Sequence, residues 1–399
     1  MRLIAALVVS VLPAVASAQD TRPKRADVDA AIGRGMGFLA KDAQAWKKEH
    51  NCASCHHASL VICAMREAKQ FGHGVDEPVL AELTKWVAES GDGKFGLERP
   101  AAAPRAASPK AIYFALALGA DPRPDEASQK GLKALLKTVE AEQTEIGSWS
   151  TWPGTRPPIF GTSDESLTAL ATLAVLPAAA AGDREAKAAR DKAVKWLAET
   201  KTDGDPQSTA LRLVLWARLG RPAEEWEPLV KSIRGRQNAD GGWGQTTDMA
   251  SDAWATGQAL YALAHAGVKP DDAAVARGQA FLVKTQREDG SWPMTSRPTA
   301  PGGKGSTSLI PITGAGSAWA IQGLVRSAGP ADPAGTRYVF SPQFLCASAI
   351  AQGPTRRPEA TRSFREPHGN KSGTSGDARD GRCGLTGREG PSPNNPTAR

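Results

Sequence analysis

The 399-residue sequence predicts an all-α protein made of six helix pairs, and three observations support this. First, three segments repeat a helical stretch, a glutamine and a short turn ending in Gly-x-Trp: residues 232–243, 278–292 and, more loosely, 135–149. Second, an Ala/Leu-rich stretch with apolar residues at helical spacing follows each turn. Third, turn glycines recur about every 49 residues, an interval typical of helix-pair repeats.

The first element is a targeting segment at residues 1–18. Arg2 supplies a positive start, residues 3–16 form an apolar run, and Ala16 to Ala18 form a small-x-small cleavage site. The run is too short for a membrane-spanning helix. We therefore expect an exported protein, periplasmic or secreted, in a compartment that permits disulfides.

The helix pairs form one domain at residues 19–329, beginning with a helical stretch at 28–41. Turn glycines separate the pairs at Gly93, Gly147, Gly204, Gly241 and Gly290, and one interval upstream falls near residue 52. Six helix pairs without strand patterns can stack as an open superhelix or close into a ring.

The Gln-x-x-Asp-Gly-[Gly/Ser]-Trp turns at 237–243 and 286–292 resemble the QW repeats of squalene–hopene cyclases and related prenyltransferases. The resemblance implies a closed (α/α)6 toroid in which Gln237, Trp243, Gln286 and Trp292 tie outer helices to neighbouring turns. The residue types agree, since a buried indole covers a large area and its N–H needs one acceptor.

The resemblance also implies terpenoid chemistry, either cyclisation of an isoprenoid or prenyl transfer. Cyclases of this family use an Asp-x-Asp-Asp acid motif with pKa-perturbed carboxylates, which this sequence lacks. The candidate acids are Asp164, Asp203, Asp205 and Asp252. Asp164 and Asp252 follow serines at predicted helix starts, where acidic residues commonly cap helices.

Two further family features are weak, so the sequence leaves open whether the protein is an enzyme. A cyclisation cavity needs aromatic walls to stabilise cations, and the predicted inner helices offer few: Tyr113, Phe114, Trp216, Trp254, Tyr261 and Trp319. Prenyltransferase β-subunits need an Asp/Cys/His zinc site on later repeats. No cysteine lies between Cys63 and Cys346 to form one.

A C-x-x-C-H motif at residues 52–56 is the attachment pattern for c-type haem. It predicts one haem bound through Cys52 and Cys55 with His56 as the proximal iron ligand. The motif precedes the predicted inner helix 58–70, at the toroid rim. Candidates for a distal ligand are His50, Met65, His73 and His265, and a five-coordinate iron is equally consistent.

Two other interpretations of this motif stay open. Zinc could be bound by Cys52, Cys55, His56 or His57, and Cys63, because thiolates and imidazoles are the ligands that zinc prefers. Alternatively, a disulfide could join Cys52 to Cys55, or one of them to Cys63, and staple an N-terminal turn.

From residue 330 to residue 399 the amino-acid composition becomes rich in Gly, Pro, Ser, Arg and Asn, which predicts a disordered tail. It contains Cys346 and Cys383, for which the pattern indicates no role. The tail carries 10 Lys/Arg against 6 Asp/Glu, so the basic surplus lies partly outside the domain. With no nucleic-acid-binding motif present, we expect no nucleic-acid partner.

These observations lead to one main hypothesis and two alternatives. The main hypothesis is an exported toroid carrying one haem c, which transfers electrons to a redox partner protein or acts on an apolar ligand. The first alternative is a terpenoid cyclase or prenyltransferase-like enzyme acting on an isoprenoid. The second is a non-catalytic binding toroid stapled by a disulfide. Peripheral membrane contact stays open.

Overall fold

The computed structural model describes residues 22–50, 53–90, 107–151, 157–159, 163–298 and 304–331. The predicted signal peptide, Cys52 and the predicted tail beyond residue 331 lie outside this part. The described residues form twelve α-helices and no β-strand, apart from one isolated bridge between Gly244 and Ser251. Among these helices, none has the length and apolar character needed to cross a membrane.

The helices alternate between an outer and an inner layer. The outer helices are α1 (Arg25–Glu49), α3 (Glu77–Ser90), α5 (Glu126–Ala141), α7 (Arg184–Glu199), α9 (Ala223–Gly235) and α11 (Ala273–Thr285). The inner helices are α2 (Leu60–Gln70), α4 (Pro109–Gly119), α6 (Asp164–Ala180), α8 (Pro206–Arg218), α10 (Ala253–His265) and α12 (Ile310–Ala328). Each inner helix packs against the next, and α12 packs against α2. The inner ring is therefore closed, which confirms the predicted all-α toroid.

Residue patterning explains which helices lie inside. The outer helix α7 buries only Ala186, Ala189, Ala193 and Leu197, which follow one another at intervals of three or four residues. This single apolar stripe is typical of a helix with one face in solvent. The inner helix α6 is instead buried almost throughout its length, including Thr168 and Thr172. Thr172 donates its hydroxyl to the Thr168 carbonyl at 2.6 Å, so its polar group is satisfied inside the helix.

The Gln-Trp turns fasten successive outer helices to one another. Gln237 donates through Nε2 to the carbonyl of Gly241 in its own turn (2.7 Å) and to that of Ala274 on α11 (2.8 Å). Trp243 donates through Nε1 to the Ile233 carbonyl on α9 at 2.7 Å. The turns at Gln143–Trp149 and Gln286–Trp292 repeat this set of bonds. The glutamine and tryptophan side chains therefore have the structural role that the resemblance implies.

The last turn closes the outer layer, because Gln286 donates to the Ala31 carbonyl on α1 at 2.9 Å. The turn glycines allow such close approaches. Gly241 has a φ of 88°, and a Cβ there would lie 2.8 Å from the Arg277 carbonyl oxygen on α11. Only glycine fits this position without strain. The other described turn glycines also have positive φ: Gly147, Gly204 and Gly290.

Candidate functional site

A central cavity lies inside the ring and is lined by residues from all six inner helices. It encloses about 1320 Å³, its open mouth included. Much of the wall is aliphatic and is formed by Leu60, Leu116, Leu170, Leu173, Leu211 and Val214. A concave, mostly apolar wall with a few polar groups is typical of a small-molecule binding site.

Three of the aromatic residues predicted on inner helices line this cavity: Tyr113, Tyr261 and Trp319. Tyr113 donates its hydroxyl to the Ile159 carbonyl at 2.7 Å, which fixes its ring in the wall. Tyr261 and Trp319 meet edge to face, with ring centroids 5.7 Å apart. Trp254 lies behind Trp319 at 6.0 Å. The aromatic surface is therefore small and concentrated on α10 and α12.

The C-terminal halves of the inner helices make one part of the cavity polar. Arg326 of α12 donates through Nε to Glu67 Oε1 of α2 at 2.6 Å, and its guanidinium lies over the rings of Phe71 and Tyr261. This combination of an ion pair and two ring faces holds the Arg326 side chain in place.

The other basic groups at this end differ in their partners. Arg66 forms an ion pair with Asp121 at 2.8 Å. Arg218, the last residue of α8, makes no hydrogen bond or ion pair within the described part of the chain, and burial lowers its pKa. Burial, reinforced by the charges of Arg326 and Arg218, lowers the pKa of His265 well below its usual value. The sequence motifs pointed to none of these three arginines.

The candidate acids Asp252 and Asp164 lie at the N-terminal ends of inner helices, and neither lines the central cavity. Asp252 is the N-cap of α10: it is 2% exposed and accepts from the Ala255 backbone N–H at 2.9 Å. Burial raises its pKa to about 6. Asp164 accepts from the Thr151 backbone N–H at 2.8 Å. Both carboxylates are thus engaged in local backbone contacts.

Asp203 and Asp205 form the turn before α8 and also lie outside the cavity lining. Asp205 is the N-cap of α8, accepting from the Gln207 N–H at 2.9 Å and pairing with Arg297 at 3.0 Å. Asp203 accepts from the Asp205 N–H at 2.8 Å and from the Ser208 hydroxyl at 3.0 Å. The four candidate acids therefore lie at the starts of three inner helices, α6, α8 and α10, and none of them lines the central cavity.

A second, smaller cavity of about 420 Å³ lies beside Asp252, between α8, α9 and α10. Gln245 lines it and donates its side-chain amide to Asp252. Five buried polar atoms of lining residues have no hydrogen-bond partner among the described residues: Gln207 Oε1, Arg236 Nη1, Gln245 Oε1, Trp254 Nε1 and Gln258 Nε2. Asp252 therefore lies beside this second cavity and not beside the central one.

The C-x-x-C-H segment leads into α2 through one π-helical turn, Cys55–Ser59. Ser54 caps this turn by accepting from the His57 N–H at 2.9 Å. The His56 ring meets Trp46 edge on, with centroids 4.9 Å apart, and its Nδ1 faces that of His57. Burial and the neighbouring His57 and His50 lower the pKa of His56 to about 3. Its imidazole is therefore neutral at pH 7, the form that binds metals.

Sequence reasoning missed the residues of α1 that contact this segment. His57 is fully buried, stacks on Trp46 at 4.3 Å, and places Nε2 3.0 Å from Asp42 Oδ2. His50 stacks on the same indole at 3.7 Å. Asp42 and Trp46 are four residues apart on α1, which puts them on one helix face, and His50, a predicted distal-ligand candidate, is the C-cap residue of the same helix. The shared face of Asp42 and Trp46 is visible in the sequence, but it does not indicate which segment they contact.

The other candidate ligands are dispersed. Met65 is fully buried, whereas His265 and Cys63 line the central cavity, which neither Cys55 nor His56 lines. Cys63 carries a free thiol, and burial raises its pKa to about 12. Within the described residues, no three His, Cys, Asp or Glu side chains are grouped to hold a metal ion. His73 has a pKa lowered by burial and is partly enclosed beyond the end of α2.

Comparisons with known proteins agree with this fold. Residues 180–285, which include α7 to α11, match the family model of the squalene-hopene cyclase N-terminal domain. A variant of the type II terpene cyclase MstE from Scytonema, solved with geranylgeranyl dihydroxybenzoate, matches with a TM-score of 0.50 and 15% identity over 77% of this chain and 98% of that chain. Apo MstE matches with a TM-score of 0.49 and 17% identity, over 77% and 99% of the two chains. No curated protein matches the sequence. Residues 180–285 are therefore similar to the squalene-hopene cyclase N-terminal domain, and the described residues share the all-α fold of a type II terpene cyclase.

Proposed function

We propose that this protein binds an isoprenoid-like apolar molecule in its central cavity, in the manner of a terpene cyclase. The observation that carries the proposal is the closed ring of inner helices around about 1320 Å³ with a largely aliphatic wall. Burial of an apolar chain against such a wall is favourable in proportion to the area removed from water. The MstE variant, whose substrate is geranylgeranyl dihydroxybenzoate, supports an isoprenoid as the ligand class.

The proposal is stronger for binding than for acid-initiated cyclisation. A general acid must lie within hydrogen-bond reach of the atom that it protonates. Burial raises the pKa of Asp252 to about 6, but this residue caps α10 outside the central cavity. We therefore expect ligand binding without formation of a cyclic product.

Binding is tested with radiolabelled geranylgeraniol and the purified chain. We expect saturable binding of one molecule per chain. Leu173→Trp should abolish it, because Leu173 lines the cavity and a larger ring would occupy ligand space. Ile146→Trp is the matched control, since Ile146 is 70% exposed on the outside and the change should leave binding intact. Equal binding by both variants would exclude the central cavity as the site.

Cyclisation is tested separately by incubating the protein with squalene or geranylgeranyl substrates and analysing extracts by mass spectrometry. Absence of cyclic products from wild type agrees with a binding role. A cyclic product made by wild type and lost in Asp252→Asn would instead establish an enzyme with Asp252 as its acid. Asparagine preserves the capping acceptor, so such a loss would not reflect unfolding of α10.

We also propose a second function, redox chemistry by one covalently bound haem, on the strength of the C-x-x-C-H motif and the neutral imidazole of His56. Cys52 and Cys55 would hold the group through thioethers, and His56 would bind the iron. The bound haem would supply one-electron transfer to a redox partner protein. The donor set fits this chemistry, since two thiols and an adjacent unprotonated imidazole are what it requires.

The haem is tested by expression with residues 1–18 in a host that matures c-type cytochromes, followed by a reduced absorption spectrum under denaturing conditions. Wild type and Cys63→Ala should be coloured, whereas Cys55→Ala should lose the pigment. A colourless wild type with one equivalent of zinc would support the zinc interpretation. N-terminal sequencing of the exported product should begin at Gln19 if the proposed cleavage and periplasmic or secreted location are correct.

A further inference from the structure

The polar end of the central cavity carries more positive than negative charge. Arg66, Arg218 and Arg326 all line the cavity, whereas Glu67 is the only carboxylate among the described lining residues. Glu67 neutralises Arg326 at 2.6 Å, and Asp121, just beyond the cavity wall, neutralises Arg66 at 2.8 Å. The third guanidinium, that of Arg218, has no carboxylate partner among the described residues.

Arg218 lies at the end of α8 and faces the cavity without an ion pair or hydrogen bond in the described part of the chain. Its charged neighbours are Arg326 and Glu67, and Glu67 is already bound to Arg326. The Tyr261 phenol also lies nearby and is neutral, because burial raises its pKa to about 12. A guanidinium is always charged, and enclosing it without a counter-ion is unfavourable. The fold therefore maintains an unneutralised cation at the wall of an apolar cavity, which is what an anionic ligand would neutralise.

Neighbouring groups add neutral polar contacts at the same end. His265 Nε2 is buried without a partner, and its ring meets Tyr261 edge to face at 4.6 Å. Gln322 of α12 also lines this wall. Arg326 is held by Glu67 and by the ring of Tyr261, so a ligand would meet a positioned side chain. Preorganised donors of this kind favour binding because little side-chain freedom is lost.

We propose that this arginine end, formed by Arg66, Arg218, Arg326 and His265, binds the carboxylate of an isoprenoid acid whose chain lies along the aliphatic wall. The inference rests on the proposed function and narrows the expected ligand from an apolar molecule to an amphipathic molecule with one negative charge. A carboxylate matches both the single uncompensated charge and the paired donors of the Arg218 guanidinium. A phosphate monoester carries more charge than this end can neutralise.

The test compares three ligands with the same C20 chain: geranylgeranoic acid, the neutral alcohol geranylgeraniol, and geranylgeranyl phosphate. Dissociation constants are measured for wild type, Arg218→Gln and the control Arg234→Gln. Arg234 pairs with Asp272 on the outer surface, so its replacement changes net charge equally without touching the cavity. Wild type and Arg234→Gln should bind the acid about 10- to 100-fold more tightly than the alcohol, as expected for a charge-assisted hydrogen bond.

Arg218→Gln should lose this preference and keep wild-type affinity for the alcohol, which also shows that the variant is folded. Equal affinity of wild type for acid and alcohol would overturn the inference and leave the proposed function standing. A phosphate bound tenfold more tightly than the acid would overturn the choice of carboxylate. Failure of wild type to bind any of the three ligands would overturn the proposed function together with this inference.

Discussion

Gln286 provides one of the hydrogen-bonded links between the last and first helix pairs, and Gln286→Ala tests how much this link stabilises the toroid. Its Nε2 donates to the carbonyls of Gly290 (3.0 Å) and Ala31 (2.9 Å). Its Oε1 accepts from Arg34 at 2.6 Å. Alanine removes all three contacts and leaves two backbone carbonyls without this donor.

The expected loss follows from these contacts. A partly buried hydrogen bond contributes about 0.5–1.5 kcal/mol to stability, so the two bonds from Nε2 contribute about 1–3 kcal/mol together. The contact with Arg34 is exposed and adds little, because water replaces it readily. We therefore expect Gln286→Ala to lower the free energy of unfolding by about 1–3 kcal/mol.

Urea denaturation followed by circular dichroism at 222 nm measures this change. Gln129→Ala is the matched control: Gln129 is exposed and makes one side-chain bond, to the Pro124 carbonyl. The control should change stability by no more than about 0.5 kcal/mol. If Gln286→Ala is as mild as the control, the ring does not depend on this link and the reasoning is wrong.

Three further substitutions test other parts of the structure. Gly257→Ala should cost more than about 2 kcal/mol in thermal unfolding, because its Cβ would overlap the Trp319 backbone where α10 crosses α12. Trp243→Phe should lower the free energy of unfolding by about 1–3 kcal/mol, because the indole N–H that donates to the Ile233 carbonyl is lost. Unchanged stability would show that packing of the ring, without this hydrogen bond, is enough to hold the turn. In Asp252, burial raises the pKa from 3.8 to about 6, so its protonation stabilises the fold fully below pH 4 and this contribution disappears as the pH rises through 6. The free energy of unfolding of Asp252→Asn, measured by urea titration, should rise by up to about 3 kcal/mol relative to wild type as the pH increases from 4 to 7. A difference between the two proteins that does not change with pH would contradict the raised pKa of Asp252.

Much of the scaffold was predictable because its determinants are local. The turn at 237–243 carries in seven residues its glutamine, its positive-φ glycine and its tryptophan, so the motif alone indicates the turn and its role. The serine and aspartate residues before α6 and α10 similarly indicate helix starts, and Ser163 and Asp252 cap those helices. The expected first helical stretch, 28–41, is longer in the structure and spans Arg25–Glu49.

The candidate site was less predictable because it depends on contacts between distant helices. Nothing in the local pattern shows that α1 brings Asp42 and Trp46 against His57. The tail, the signal peptide and the haem remain predictions of the sequence. By itself, the sequence determined a repeat of helix pairs, since each Gln-Trp turn specifies its own bonds. Closure into a ring was implied by the family resemblance and is shown by the packing of α12 against α2. Only the tertiary structure decided which charged side chains face the cavity. Arg326 contacts Glu67, which lies 259 residues away in the sequence, whereas Arg218 has no ion-pair partner among the described residues. These contacts depend on how each helix is rotated and packed against its neighbours, which the local sequence does not specify.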